Sequence, residues 1–300
     1  MISYLVLFST GLVLIVVVNP LKQIQSRDAS QFTNSEKQSA GPSELFAEPV
    51  FTRRLPVAKK RNQNAFRVPI LMYHHIGFNS DSTDKIRDDL TVPTDQFEKQ
   101  VAWISSRGYH SVTLNDVFLH AQNKRNLPPQ PIVFTFDDGY DDTFTNAVPV
   151  LRKYGFIGSF AIITQWPGTS VGSNNYATWN QIKLAHDAGM EIVSHTQNHF
   201  DGTSPKFSRG YILQDLKGSI MDLKQRLGFE TDILVYPYGH YNEQYVSAAK
   251  EDGFSMGVTV HEGATINPDD LMEVPRIRVH GHETLMDFEN ILLGANRIIK

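Results

Sequence analysis

The chain contains no cysteine. Disulfides, thiolate nucleophiles and cysteine-held zinc are thereby excluded, and any metal must be bound by His, Asp, Glu or water. The absence says little about compartment, because an exported protein can do without disulfides. Neither a G-x-G-x-x-G run nor a P-loop is present, which argues against a nucleotide site. No internal repeat is visible. Charge of one sign is also scarce. A net charge of -4 over 300 residues is too mild to call for a nucleic-acid partner or an acidic tail. What remains is a chain that is 41% hydrophobic, enough for a sizeable core in one large domain or two small ones.

One stretch has no charge at all. Residues 2–18 read "ISYLVLFSTGLVLIVVV", about long enough for a short transmembrane helix and long for the apolar part of a signal peptide. No basic residue precedes it and no clear A-x-A cleavage site follows. We read residues 1–18 as an export segment, an uncleaved membrane anchor in preference to a cleaved signal. Lys22 and Arg27 lie behind it and argue the other way by the positive-inside rule, though two charges weigh little. Residues 19–67 are rich in Ser, Gln, Asn, Pro and charge and lack a sustained period, as expected of a flexible polar linker. Its basic cluster "RRLPVAKKR" (53–61) is read as solvated chain. The domain that follows is therefore expected outside the cytoplasm, membrane-anchored or secreted.

From Val68 the texture changes. Short apolar runs such as "VPILMYHH", "PIVFTFDDG", "IGSFAIIT", "MEIVSH", "DILVYPYG", "FSMGVTV" and "VPRIRV" have strand character. Between them lie stretches of helical period, several ending in glycine, such as "TDQFEKQVAWISSRG" and "TWNQIKLAHDAG". Such alternation signals βαβ units with right-handed crossovers. About seven strands in roughly 230 residues suit an α/β domain with a closed or nearly closed barrel. An open doubly wound sheet is the alternative.

In either architecture the active site gathers at the C-terminal ends of the strands. Here those ends carry Tyr73-His74-His75, Asp137-Asp138-Gly139, Ser194-His195 with His199 four residues on, and Tyr236-Pro237-Tyr238-Gly239. His195 and His199, on a helix or a short turn, could share a metal. Taken alone they could equally be two unrelated surface histidines. With a carboxylate from another strand they become a candidate His-His-Asp site suited to zinc and open to other first-row divalent ions. The acids of "DDG" then divide, one binding the metal and the other free to take a proton from water. Without the histidines, "DDG" would read as an ordinary turn. Residues on an extended strand alternate between faces, so the strand is expected to end by Asp137, with the turn at Gly139 bringing both acids to one pocket. Asp141 and Asp142 are read as helix-start residues. Tyr236 and Tyr238 could form an aromatic wall for a sugar ring, with backbone N–H groups for an oxyanion. Trp179 is read as core.

In this order and spacing "TFDDG", "SHTQNH" and "YPYG" resemble the NodB-homology polysaccharide deacetylases, carbohydrate esterase family 4. The resemblance covers about residues 68–297 of the 68–300 catalytic domain. It implies a distorted (β/α)7-type barrel and metal-dependent hydrolysis of N-acetyl groups on sugars. By it Asp137 is the general base, Asp138, His195 and His199 are the metal ligands, and the Tyr238 N–H is the oxyanion donor. Two features depart from the family pattern: no arginine precedes the Pro-aromatic pair, and no Leu-x-His motif stands near the C-terminus. The early "ILMYHHIG" is similar instead to a permuted subgroup, the extracellular poly-N-acetylglucosamine deacetylases. That match makes His74 the catalytic acid, with His280 of "PRIRVHGH" ranked second, and puts Arg276 in place to orient Asp137. The implied reaction is N-deacetylation of N-acetylglucosamine units in an exported polysaccharide. The same motifs would serve a peptidoglycan or chitin-oligomer deacetylase, and a catalytically dead glycan-binding module is the alternative of another class. A retaining glycosidase, which wants its carboxylates across a sugar, fits adjacent acids less well. A monomer is expected.

Overall fold

The structure, a computed structural model, describes residues 64–79 and 83–294. The expected anchor and most of the expected linker lie outside the described residues. Regular structure is present slightly ahead of Val68, since Phe66 and Arg67 pair antiparallel with Ile266 and Thr265.

The strands are β1 (Ile70–Tyr73), β2 (Pro131–Phe136), β3 (Ser159–Ile162), β4 (Glu191–Ser194), β5 (Ile233–Val235), β6 (Met256–Glu262) and β7 (Val274–Arg278). Each pairs in parallel with the next, and β7 returns to pair with β1. The sheet therefore closes in chain order as a seven-stranded parallel barrel, and the open-sheet alternative falls. The barrel is distorted between β6 and β7, where Val258 faces Val274 but Glu262 faces Arg276. The extra residues on β6 bend it, as a bulge does.

The helices are α1 (Lys85–Leu90), α2 (Thr94–Ser106), α3 (Leu114–Ala121), α4 (Val148–Lys153), α5 (Trp179–Asp187), α6 (Arg209–Leu227), α7 (Glu243–Glu251) and α8 (Leu285–Gly294). Local chemistry sets several ends. Thr178 and Gln181 form a capping box that starts α5, and α6 stops at Gly228 with φ 85°. The expected helix before Gly155 is not uniform. Pro149 offers no N–H to the carbonyl of Thr145, and a π-helical turn over Thr143–Ala147 precedes α4, with the Val148 N–H reaching back to the Thr143 carbonyl.

Strand alternation sorts the side chains into two layers. Ile70, Val133, Ala161, Val193, Ile233, Met256 and Val274 belong to one buried cluster, the filling of the bore. Leu71, Tyr73, Phe134, Phe136, Phe160 and Ile162 face outward into a second cluster with α2, α4, α5 and α8. Phe136 stacks on Phe160 at 4.6 Å and on Tyr73 at 5.5 Å. Each such buried ring contributes roughly 1.5–3 kcal/mol by burial. Trp179 packs half-buried against this outer layer. α6 and α7 cover Leu234 and Tyr236 in a third cluster.

Candidate active site

The inward parity that fills the bore continues past the strand ends. Counting by twos from Ile70 gives Met72 and His74. From Val133 it gives Thr135 and Asp137, from Val193 it gives His195, and from Val274 it gives Arg276 and Arg278. His74, Asp137, His195 and Arg278 line one cavity of about 370 Å³ at the C-terminal mouth, together with Asp138 and His199.

Asp137 and Arg276 close the top of the bore. Arg276 is 1% exposed and Asp137 2%. The guanidinium grips both carboxylate oxygens, Nη1 to Oδ1 and Nη2 to Oδ2, each at 2.7 Å. Its remaining donors reach the Thr259 carbonyl at 2.8 Å and the Thr135 hydroxyl at 3.0 Å. Burial alone would raise the Asp137 carboxyl, but the charge and hydrogen bonds of Arg276, joined by His195 and His74, outweigh it and hold the group below the usual carboxylate range. The acid is therefore ionised and fixed in orientation by a two-point fork.

Asp138 solves the alternation problem differently from the expectation. β2 ends at Phe136, and Asp138 itself adopts a left-handed backbone with φ 72°, followed by Gly139 at φ 80°. Asp tolerates this region better than most residues. The turn thus starts at the second acid rather than after it, and carries that acid onto the inward side. Asp138 Oδ1 then lies 3.2 Å from His195 Nε2 and 3.3 Å from His199 Nε2.

The two histidines sit on a turn, not a helix. Thr196 and His199 both have left-handed φ, 65° and 55°. His195 Nδ1 lies 2.8 Å from the Val235 carbonyl. A carbonyl only accepts, so Nδ1 carries a proton and Nε2 is the nitrogen left to face Asp138. Burial pulls the His195 imidazole down, but Asp138 and Asp137 outweigh it and hold the group above its ordinary value. Burial lowers the His199 imidazole to about 4, helped by the charge of the neighbouring His195, so His199 is neutral near pH 7.

This donor set fits a divalent ion. One atom from each of Asp138, His195 and His199 lies within 4.8 Å of the others. Ligands about 2.0–2.1 Å from a tetrahedral zinc stand roughly 3.3 Å apart, close to the two Asp138–His separations. The bond from His195 Nδ1 to the Val235 carbonyl, which orients the ring and leaves Nε2 to face the cluster, is a second, independent sign of fit.

His74 faces the cavity with part of its ring exposed. Burial pulls its imidazole below the ordinary value, while Asp137 and Asp138 pull upward. His75 points the other way, stacked on Tyr140 at 3.7 Å with Nδ1 2.7 Å from Asp142 Oδ2. Asp142 also accepts from the Ile76 N–H; it stands at the start of its helix, as read from the sequence, but makes no cap bond there and turns its carboxylate to His75 instead. Asp141 accepts from Gln181 of α5.

Tyr238 lies on the cavity wall in a left-handed turn, φ 59°, with its ring 56% exposed and 4.7 Å from the His199 ring. Tyr236 lines the same cavity, but its stacking role is a correction: by parity its ring follows Leu234 outward and is fully buried against Tyr241 and Tyr245, where it cannot stack on a sugar. His280 is not brought into the cavity. Its Nδ1 lies 2.9 Å from Asp89, which also holds Arg278 at 2.8 Å. Arg278 and Tyr140 were missed as cavity residues; for Arg278 the signal was present, two positions beyond Arg276 on the same strand face.

Residues 124–257 match the family model described as polysaccharide deacetylase. The chain is 31% identical over 221 residues to the Bacillus subtilis protein named "Putative polysaccharide deacetylase YxkH", covering 73% of this chain and 74% of that one. The chain belongs to this family, the NodB-homology polysaccharide deacetylases, and is a hydrolase of that class. It is also similar to the poly-beta-1,6-N-acetyl-D-glucosamine N-deacetylase of Staphylococcus epidermidis, 28% identical over 201 residues, 63% of this chain and 68% of that protein. Among solved structures, the Streptococcus pyogenes deacetylase PplD in complex with acetate aligns with TM-score 0.68 and 27% identity over 76% of this chain and 99% of that one.

Proposed function

We propose that this chain removes N-acetyl groups from N-acetylglucosamine units of an extracytoplasmic polysaccharide of the poly-N-acetylglucosamine type, releasing acetate. One observation carries the reading. An ionised carboxylate, Asp137, is held by Arg276 beside a three-ligand cluster it does not join, with His74 on the same cavity.

In this reading Asp137 takes the proton of a water that attacks the acetyl carbonyl. Unaided, that transfer is uphill. Water at 15.7 against an ordinary aspartate at about 3.9 is a gap worth roughly 16 kcal/mol, and a carboxyl held below that range widens it. A divalent ion held by Asp138, His195 and His199, zinc being the best match to these donors, would bring the pKa of a water to about 7 and remove about 12 kcal/mol of the gap. The Tyr238 backbone N–H is assigned to the developing oxyanion. His74 gives a proton to the departing amine, whose expulsion as an anion would otherwise be prohibitive. The C–N bond breaks, acetate leaves, and the sugar amine becomes cationic. The exposed Tyr238 ring supplies a face for the sugar. The uncharged segment at residues 1–18 would tether this monomer to the membrane, with the barrel on the outer side.

The test is acetate release by the full chain from poly-β-1,6-N-acetylglucosamine, chitin oligomers and peptidoglycan, before and after chelation and zinc return. Acetate from the first polymer, lost on chelation and restored by zinc, is expected. Release from peptidoglycan or chitin oligomers alone would overturn the substrate, and release indifferent to chelation would overturn the metal.

A further inference from the structure

α6 carries a polar seam under the turn that bears the two histidines. Asp215, Ser219 and Asp222 fall at i, i+4 and i+7, one face of a helix. Asp215 is 2% exposed, and all the partners named for it lie between the two histidines. Its carboxylate accepts from the Asn198 N–H at 2.9 Å, the Asn198 side-chain amide at 2.7 Å and the Gln197 N–H at 3.3 Å. These three donors occupy most of the roughly four lone-pair positions of a carboxylate. The Thr196 hydroxyl oxygen accepts from the His199 N–H at 3.0 Å. Thus Asp215 holds the backbone of the two residues that lead into His199, and Thr196 braces His199 itself.

The rest of the seam grips the same turn. Ser219 lies 2.7 Å from the Ser194 hydroxyl, which accepts from the Thr196 N–H at 3.1 Å. Asp222 accepts from the Gln197 side chain at 3.0 Å. At Gly218 a side chain would meet the amide end of Gln197, so glycine leaves that side chain room to lie along the helix and reach Asp222. The turn needs such support. Thr196 and His199 are both non-glycine residues in left-handed backbone, which costs about 1 kcal/mol or more apiece and persists only when the surroundings over-determine it.

We propose that Asp215 is a positioning residue, which through the backbone of 196–198 sets the spacing of His195 and His199 for a shared metal ion. The proposal rests on reading Asp138, His195 and His199 as a metal site. Asp215 touches neither the ion nor the substrate. Without it the turn relaxes toward ordinary backbone angles and the two imidazoles no longer converge.

The full chain is tested with zinc and with cobalt. Zinc affinity is read by competition with a chromogenic chelator, geometry by the visible bands of the cobalt form, and folding by melting of the metal-free protein. Asp215→Asn turns one acceptor into a donor facing donors. Zinc binding should weaken by about 10- to 100-fold, the range typical of residues that support metal ligands, with altered cobalt bands and unchanged KM. A folded Asp215→Asn with zinc affinity within twofold of wild type and the same cobalt bands overturns the proposal. If Asp215→Asn does not fold, Ser219→Ala decides. Loss of one bond to the same turn should weaken zinc about threefold or more, and no change overturns. A wild-type chain that takes up neither ion overturns the metal reading itself, which is visible before any variant is compared.

Discussion

Consider Arg276→Met, which keeps most of the side-chain volume and deletes the charge. Arg276 makes four hydrogen bonds, two to Asp137, one to the Thr259 carbonyl and one to the Thr135 hydroxyl. Both charged groups are almost completely buried. Removing one partner of a buried pair costs about 3–5 kcal/mol, because the other charge stays behind without solvent. For a domain of this size that corresponds to a fall in melting temperature of roughly 10 °C. Adding Asp137→Asn should return part of the loss, since the stranded charge is gone. The double mutant should therefore be about 2 kcal/mol more stable than Arg276→Met alone. Melts in chelator keep a bound ion from masking the effect. Activity is read as acetate release well below the variants' melting points, where Arg276→Met should lose at least about 100-fold in kcat because the base is no longer aimed. Arg276→Lys should recover only part, since an ammonium cannot grip both oxygens. A stability loss under about 1 kcal/mol, or a double mutant no more stable than the single, would refute the claim that Arg276 compensates a buried Asp137 charge.

His74→Ala should lower kcat by about 100-fold or more, while His280→Ala, whose partner Asp89 is partly exposed, should stay within about twofold; equal losses would remove the assignment of the acid. Tyr236→Phe deletes a buried hydroxyl that has no partner among the described residues, so stability should hold or rise by about 1 kcal/mol with KM unchanged; a raised KM would put Tyr236 back on the sugar. Burial pushes Glu191 up to about 7, against the Ser159 hydroxyl and the N–H groups of Asn115 and Leu114. A raised carboxyl favours the protonated folded form, so its contribution is complete below about pH 4.5 and is lost as pH rises to about 7, by about 3 kcal/mol. In urea titrations across that window Glu191→Gln should remove the downward slope of stability with pH, and a slope equal to wild type would contradict the assignment.

Much of the barrel was legible because each βα unit is punctuated locally. Several helices end at a glycine and the strands are short apolar runs. Closure was expected only from the strand count and the resemblance, since the β7–β1 pairing that makes it joins residues about two hundred positions apart and leaves no local trace. At the site, strand parity would have told more than motif reading did. It sends His74, Asp137, His195 and Arg276 inward and Tyr236 outward, yet Tyr236 was grouped with Tyr238 on chemical likeness alone. Asp138 breaks parity through a left-handed backbone, which only the surrounding turn can enforce. Asp142 does stand at a helix start, but its side-chain partner is 67 residues away and leaves no trace in the local sequence. α1 was overlooked because it buries no residue and so has no apolar stripe. α3 was overlooked despite a capping box formed by Thr113 and Asp116.

The seam between β7 and β1 also imposes an order in time. β1 leaves the ribosome first among the barrel strands and β7 last, yet the two must pair for the sheet to close. A nascent chain halted before Val274 already contains Asp137, Asp138, His195 and His199 but lacks Arg276. Its barrel has two open edges, and Asp137 has no guanidinium to permit its burial as a charge. On the proposed roles, the metal ligands are synthesised early, but the base is set in place only when β7 arrives. Catalytic competence and barrel closure would then be one late event, because the strand whose absence leaves the barrel open also carries the arginine that Asp137 needs.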